Sequence, residues 1–185
     1  MAHILQAFER EFKFPIHEGG VSVRQVKLRG SLVVAAFFVV IAMSLAGQMM
    51  PKPDAAEFWN YITKTDPYLK WTLWPGHEAM HPGLSPHGAF LKIYVNKAAL
   101  EAIQKKMKTM PDGAIIVKEN YAQDKKTLVA LTPMYKVKGY DPAAGDWFWA
   151  EYGPKGEPMA SGKVQSCIDC HAKVKASDYL VTWSK

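Results

Sequence analysis

Hydrophobic and polar positions follow three different rhythms along this chain, and each predicts a different kind of element. The longest signal is at residues 31–50, SLVVAAFFVVIAMSLAGQMM, which carry no charge. About 20 apolar residues in a helix cross a hydrocarbon core of roughly 30 Å, so this run predicts one transmembrane helix. Ser44-Leu45-Ala46 resembles a small-x-small cleavage site, but the stretch before the apolar run is far too long for a signal peptide. A retained anchor is expected. Ahead of it Ile4, Leu5, Phe8 and Phe12 share one face of a short helix, which ends by Pro15 and Gly19-Gly20. That face either lies on the membrane surface or docks onto a partner subunit. Arg10, Lys13, Arg24, Lys27 and Arg29 precede the apolar run, so the positive-inside rule puts the N-terminus in the cytoplasm and everything after residue 50 outside.

Beyond the stiff Pro51-Lys52-Pro53 exit the rhythm shortens. Asp54 with Glu57 forms a helix N-terminal capping pair, followed by an apolar face of Phe58, Trp59 and Ile62. Residues 68–86 are rich in Trp, Pro, Gly and His and read as an ordered loop, because Trp71 and Trp74 need burial. A period of two then takes over. Residues 89–95 alternate as a strand, and Asn96 caps a helix over 97–108 with Leu100, Ile103 and Met107 inward. The turn Met110-Pro111-Asp112-Gly113 leads into a strand over 114–120, with further strands over 127–138 and 146–152 and a Gly153-Pro154-Lys155-Gly156 turn. Ser177-Asp178-Tyr179-Leu180 starts a final helical turn. The expected fold is α+β: a mainly antiparallel β-sheet with short helices, preceded by one transmembrane helix. The expected domains are a cytoplasmic segment (1–30), an anchor (31–50) and an exported domain (51–185).

Composition changes this picture little. The 185 residues are 49% apolar and 22% charged, with a net charge of +6. All three arginines precede residue 30, so the exported domain has only lysine as a fixed cation, a point charge without a bidentate fork. No helix carries a basic run, which argues against nucleic acid as a partner.

The chemistry is concentrated near the C-terminus, in Cys167-Ile168-Asp169-Cys170-His171. Cys-x-x-Cys-His is the attachment motif of a c-type haem: two thiols each add to one porphyrin vinyl group, and the following histidine becomes an axial ligand. A structural zinc site needs further Cys or paired His ligands, and the chain has only these two cysteines. A thioredoxin-type dithiol belongs near a first strand, not at the end of the chain. One covalently bound haem c is expected, on Cys167 and Cys170 with His171 on the iron. In bacteria that attachment takes place outside the inner membrane, which agrees with a periplasmic domain on a single-pass anchor. For a sixth ligand the chain offers His77, Met80, His81, His87 and Met134, of which the cluster His77/Met80/His81 is the best placed by sequence. Each of these alone is also an ordinary loop histidine or packed methionine.

The order of these features resembles the cytochrome P-460 family and its relative, cytochrome c′-beta, over roughly residues 57–183. The matching stretches are Pro86-His87-Gly88-Ala89 running into Leu91-Lys92-Ile93-Tyr94-Val95-Asn96; Met110-Pro111-Asp112-Gly113-Ala114-Ile115-Ile116-Val117-Lys118-Glu119; Gly145-Asp146-Trp147-Phe148; and the haem motif with Ser177-Asp178-Tyr179. The resemblance implies an antiparallel sheet, a homodimer, and a haem cross-linked at a meso carbon by a lysine, here Lys118. The bland alternative for Lys118 is an exposed strand lysine. Ala114, Ile116 and Lys118 share one face by alternation. The resemblance also implies hydroxylamine oxidation, with Lys92 standing where the enzymes carry a distal arginine. Glu78, Glu119 and Asp178 are the carboxylates available as a proton relay. In the gas-binding relatives the distal pocket is apolar, and Phe90, Tyr94, Trp147, Phe148 and Trp149 are the aromatics that would wall it here. Three functions compete: a membrane-anchored electron-transfer cytochrome working with a redox partner or membrane complex, a hydroxylamine oxidoreductase, and a nitric oxide or carbon monoxide binder. The anchor and the amphipathic segment favour the first.

Overall fold

The computed structural model describes residues 49–183. The expected amphipathic segment and nearly all of the expected anchor lie outside the described residues. Among those described, no helix is long and apolar enough to cross a membrane.

The described residues form a seven-stranded sheet with short helices, which matches the mainly antiparallel α+β expectation. The strands are β1 (Thr72–Leu73), β2 (His81–Pro82), β3 (Phe90–Val95), β4 (Ile115–Tyr121), β5 (Leu128–Lys136), β6 (Trp147–Tyr152) and β7 (Pro158–Gly162), in the spatial order β1-β3-β4-β5-β6-β7 with β2 also on β3. Every pairing is antiparallel. Among the described residues the α-helices are α1 (Ala55–Asn60), α2 (Lys97–Gln104) and α3 (Gln165–His171). Asp54 caps α1, its carboxylate accepting from the amides of Ala56 and Glu57. Asn96 caps α2 through Ala99 N and also accepts from Ile115 N, which ties the end of β3 to the start of β4.

Strand alternation sorts side chains onto two faces. On one, successive rows across the sheet run Val95, Ile116, Met134, Trp149; then Ile93, Lys118, Thr132; then Leu91, Asn120, Ala130. Helices α2 and α3 pack over this face through Ala99, Ala102, Cys167 and Ile168. The other face carries Tyr94, Ile115, Val117, Leu131, Tyr135, Phe148 and Tyr152, closed by Phe58 and Ile62 from α1 and the turn after it.

Several local expectations are corrected. Helix α2 stops at Gln104 because Lys106 takes a left-handed backbone (φ 52°), so Met107 is exposed and the inward face is centred on Ala99 and Ala102. Residues 177–180 do not start a helix: Asp178 and Tyr179 both have positive φ, between two 3-10 turns. The 68–86 loop contributes the two-residue strands β1 and β2. β7 (PMASG) adds an edge strand whose Pro, Gly and Ser give little β signal.

Candidate functional site

Helix α3 sets the first part of the site. Positions 167, 170 and 171 are i, i+3 and i+4, one face of a helix, so Cys167, Cys170 and His171 point the same way. Both thiols are free and half-buried, and burial raises the Cys167 thiol above its ordinary pKa. His171 is buried, its ring 4.8 Å from that of Trp149. Its Nδ1 lies 2.7 Å from the carbonyl of Tyr179. A carbonyl can only accept, so Nδ1 carries the proton and Nε2 keeps its lone pair for a ligand. Burial, helped by the charge of Lys118, pushes the His171 pKa down to about 4, which keeps the ring neutral at neutral pH.

The carbonyl that orients His171 is itself held by a costly backbone. Two consecutive non-glycine residues in the left-handed region cost on the order of 1–2 kcal/mol each. Four contacts offset this: the Asp178 carboxylate accepts from Met110 N (2.7 Å) and Lys136 Nζ (2.5 Å), Trp147 Nε1 donates to Asp178 O (2.9 Å), and the Tyr179 hydroxyl donates to Ala143 O (3.2 Å).

A cavity of about 490 Å³ opens beside α3, lined by Cys167, Cys170, His171, Lys118, Met134 and Trp149 among others. A second, of about 290 Å³, shares His87, Lys118, Cys170 and His171 with it. Both are within the size class of small-molecule sites or close to it, roughly 300–1,000 Å³. Lys118 is 7% exposed and has no ion-pair partner among the described residues. Its desolvation brings the ammonium pKa down to about 8. The ring of His87 stands 6.1 Å from that of His171, in a perpendicular plane.

The structure therefore brings together Cys167, Cys170, His171, Lys118 and His87, with Met134 in the wall. It separates others from them. Lys92 pairs in register with Glu119, on the sheet face away from the cavities, and its ammonium sits over the Tyr121 ring. It does not take the distal position expected for it. Glu119 on that same face accepts from the hydroxyls of Tyr68 and Tyr121, Glu78 is exposed and holds Gly76 N, and Asp178 is committed to Met110 N and Lys136 Nζ. Of the expected aromatics, Trp149 lines the larger cavity, Trp147 packs on the same sheet face, and Tyr94 and Phe148 belong to the opposite core. His77 and His81 lie with ring centroids 4.5 Å apart, tilted by 45°, beside the second cavity only, and Met80 lines neither cavity.

Three cavity residues escape a reading of the sequence alone: Asn120, Thr132 and Glu151. Asn120 is two residues after Lys118 and so on the same face, which is the available signal. Glu151 lines the larger cavity, yet a lone carboxylate at the end of a strand looks like surface.

A family model described as cytochrome P460 matches residues 67–182, most of the described chain. The chain belongs to the cytochrome P460 family. No curated protein matches it. Members of the cytochrome P460 family bind haem c, and the chain is a haem-binding cytochrome. The residues present fit that group. The cavities are flanked by two thiols and an imidazole with a free Nε2, and their walls include Met134, Val129 and Met159. The indole Nε1 of Trp149, on the larger cavity, is buried without a hydrogen-bond partner. An orphaned donor of this kind costs about 1–3 kcal/mol, and an acceptor on a bound cofactor would remove that cost.

Proposed function

We propose that this cytochrome P460 family member is a membrane-anchored monohaem c-type cytochrome. In this reading it carries electrons on the periplasmic side of a bacterial inner membrane, as a subunit or partner of a membrane redox complex. Cys167 and Cys170 would hold the haem through thioethers, and His171 Nε2 would supply a ligand to its iron. Bound there, the haem supplies a one-electron ferric/ferrous couple.

The observation that carries this reading is that the two residues expected at a distal relay, Lys92 and Glu119, are not at the cavity. Lys92 and Glu119 face the other side of the sheet. Hydroxylamine oxidation removes protons as well as electrons and needs a positioned base, whereas electron transfer needs only a rigid, water-excluding seat. The chain supplies the rigid part of that seat. The Nδ1–H of His171 on the Tyr179 carbonyl fixes the ring and raises its basicity as a ligand. The charge of Lys118, buried beside the cavities, favours the reduced state of a bound couple. Lys173 at the mouth of the second cavity is a cation available to the haem carboxylates. The anchor rests on the uncharged run at 31–50.

One observation favours a second reading. Lys118 is buried on both cavities with a lowered pKa, and Glu151 lines the larger one. A reactive amine and a carboxylate beside a haem suit the hydroxylamine-oxidising, cross-linked chemistry of the family.

Expressing the full chain with a haem-attachment system and recovering native membrane vesicles tests the choice. The electron-carrier reading expects covalent haem in the membrane fraction, reduced by a respiratory donor and reoxidised by oxygen, with no turnover of hydroxylamine. Haem found only in the soluble fraction, or catalytic hydroxylamine oxidation with a strongly red-shifted reduced Soret band, would overturn it.

A further inference from the structure

We infer that His87 is the sixth, distal iron ligand, so that the haem is held between two imidazoles. This rests on the reading of Cys167, Cys170 and His171 as the haem c site. It selects one residue from the loop that offers four candidate ligands, and not the cluster that looks best in sequence.

The first observation is how His87 is held. Asn120 is buried on the cavity face of β4, and every polar atom of its amide is engaged. Its Oδ1 accepts from Gly88 N at 3.2 Å and from His87 Nδ1 at 3.2 Å, while its Nδ2 donates to the carbonyls of Lys118 and Ala130 and to Thr132 Oγ1. The carbonyl partners of Nδ2 and the amide partner of Oδ1 fix which way the amide points. Asn120 Oδ1 can only accept, so His87 Nδ1 carries the proton, and Thr132 Oγ1 stands 3.3 Å from the same nitrogen. The free nitrogen of His87 is therefore Nε2, as it is for His171. Neither Nε2 makes a hydrogen bond among the described residues.

The second observation is the spacing of the rings. Imidazole nitrogens sit about 2.0–2.1 Å from a bound metal. With each ring centre roughly one bond length behind its nitrogen, two rings facing each other across one metal have centroids roughly 6.5 Å apart. The rings of His87 and His171 are 6.1 Å apart.

The third is placement. His87, His171, Cys170 and Lys118 are among the residues common to both cavities. A flat group seated between the two imidazoles would extend into both cavities. His77 and His81 border only the smaller one and contact each other, and Met134 borders only the larger. The seat is also rigid. A Cβ on Gly88 would lie 2.7 Å from the backbone N and O of Tyr121, so the Pro86-His87-Gly88 segment lies flush against β4, and the ligand-bearing residue has little room to move.

The test is the spin state of the full chain, matured with covalent haem and solubilised in detergent. Haem-stained gels and a pyridine haemochrome first establish the thioethers, and their absence would overturn the haem c reading together with this one. With haem attached, the ferric protein is expected to be low-spin, with the strongly anisotropic EPR signal of axial imidazoles in perpendicular planes. The ferrous protein is expected not to bind carbon monoxide rapidly. His87→Ala should keep its covalent haem, become high-spin and bind carbon monoxide, and added imidazole should restore the low-spin signal. His87→Met should stay low-spin and gain the charge-transfer band of methionine-ligated ferric iron, which separates loss of a ligand from loss of the fold. His77→Ala and His81→Ala should stay low-spin, and Met80→Leu, at neither cavity, should leave the spectrum unchanged. A high-spin wild-type protein with haem attached, or a His87→Ala protein that stays low-spin without added imidazole, would overturn the assignment and leave the haem c reading standing.

Discussion

The two faces of one sheet have been solved in opposite ways. The face toward α1 is filled by the chain itself. Phe58 stacks on Tyr135 at 5.4 Å and meets Phe148 edge-on at 5.5 Å, and the hydroxyls of Tyr68 and Tyr121 close onto Glu119. The face toward α3 keeps two cavities, a buried lysine and two neutral imidazoles. Each of those groups costs stability in an unfilled interior. The difference teaches where this fold puts its stability and where it puts its chemistry: one face stabilises the sheet so that the other can hold groups that do not.

The sharpest way to break the comparison is on the packed face. Phe58→Ala should cost about 3–5 kcal/mol by urea unfolding, because Phe58 is fully buried between two rings. A cost below about 1 kcal/mol, the ordinary size of a point-mutation effect, would mean that α1 does not seal that face. Acid probes the hollow face next. His87 and His171 are both pushed down to about 4 by burial, so unfolding takes up protons between the ordinary pKa near 6.5 and that value. Their contribution is fully present above about pH 6.5 and is lost as pH falls toward 4, on the order of a few kcal/mol in all. Urea midpoints measured in haem-free protein at stepped pH should fall through this window. A profile flat across the acid side of neutrality would contradict the buried, neutral imidazoles.

Two lysines on adjacent strands sharpen the contrast further. Lys118→Met should raise the stability of haem-free protein at neutral pH by about 1–2 kcal/mol, since a buried ammonium without an ion pair is replaced by a side chain that packs. Lys118 has its pKa lowered from 10.5 to about 8, so the gain should shrink as pH rises between those values and the wild-type amine loses its charge. Lys92→Met, on the opposite face, should change stability by less than about 0.5 kcal/mol at any pH. Equal effects at the two sites would erase the distinction between the faces.

Much of this is legible in the sequence, for reasons that can be named. Alternation along residues 114–118 is enough to put Ala114, Ile116 and Lys118 on one face, because the pleat has a fixed period. The spacing of Cys167, Cys170 and His171 is enough to put all three on one face of a helix, where the structure has them. Lys92 fails where the answer depends on two strands at once. Ile93, not Lys92, stands beside Lys118, and inter-strand register is set by long-range packing that no single segment contains. His87 is hidden for the same reason. Its partner Asn120 lies 33 residues away along the chain, while the crowded His77, Met80 and His81 stand out by proximity alone. The left-handed pair Asp178 and Tyr179 is held by Met110, Lys136 and Trp147, so local propensity misreads it as a helical turn.

The orphaned indole of Trp149 has a consequence for the life of the protein. An acceptor on a bound haem would remove the cost of that N–H while the haem filled the cavities, and binding to the folded state alone would stabilise it by mass action. Haem-free chains would then be the less stable population, opening more often and offering more cleavage sites to proteases. On that account the hollow face would make a chain without haem the one more readily removed.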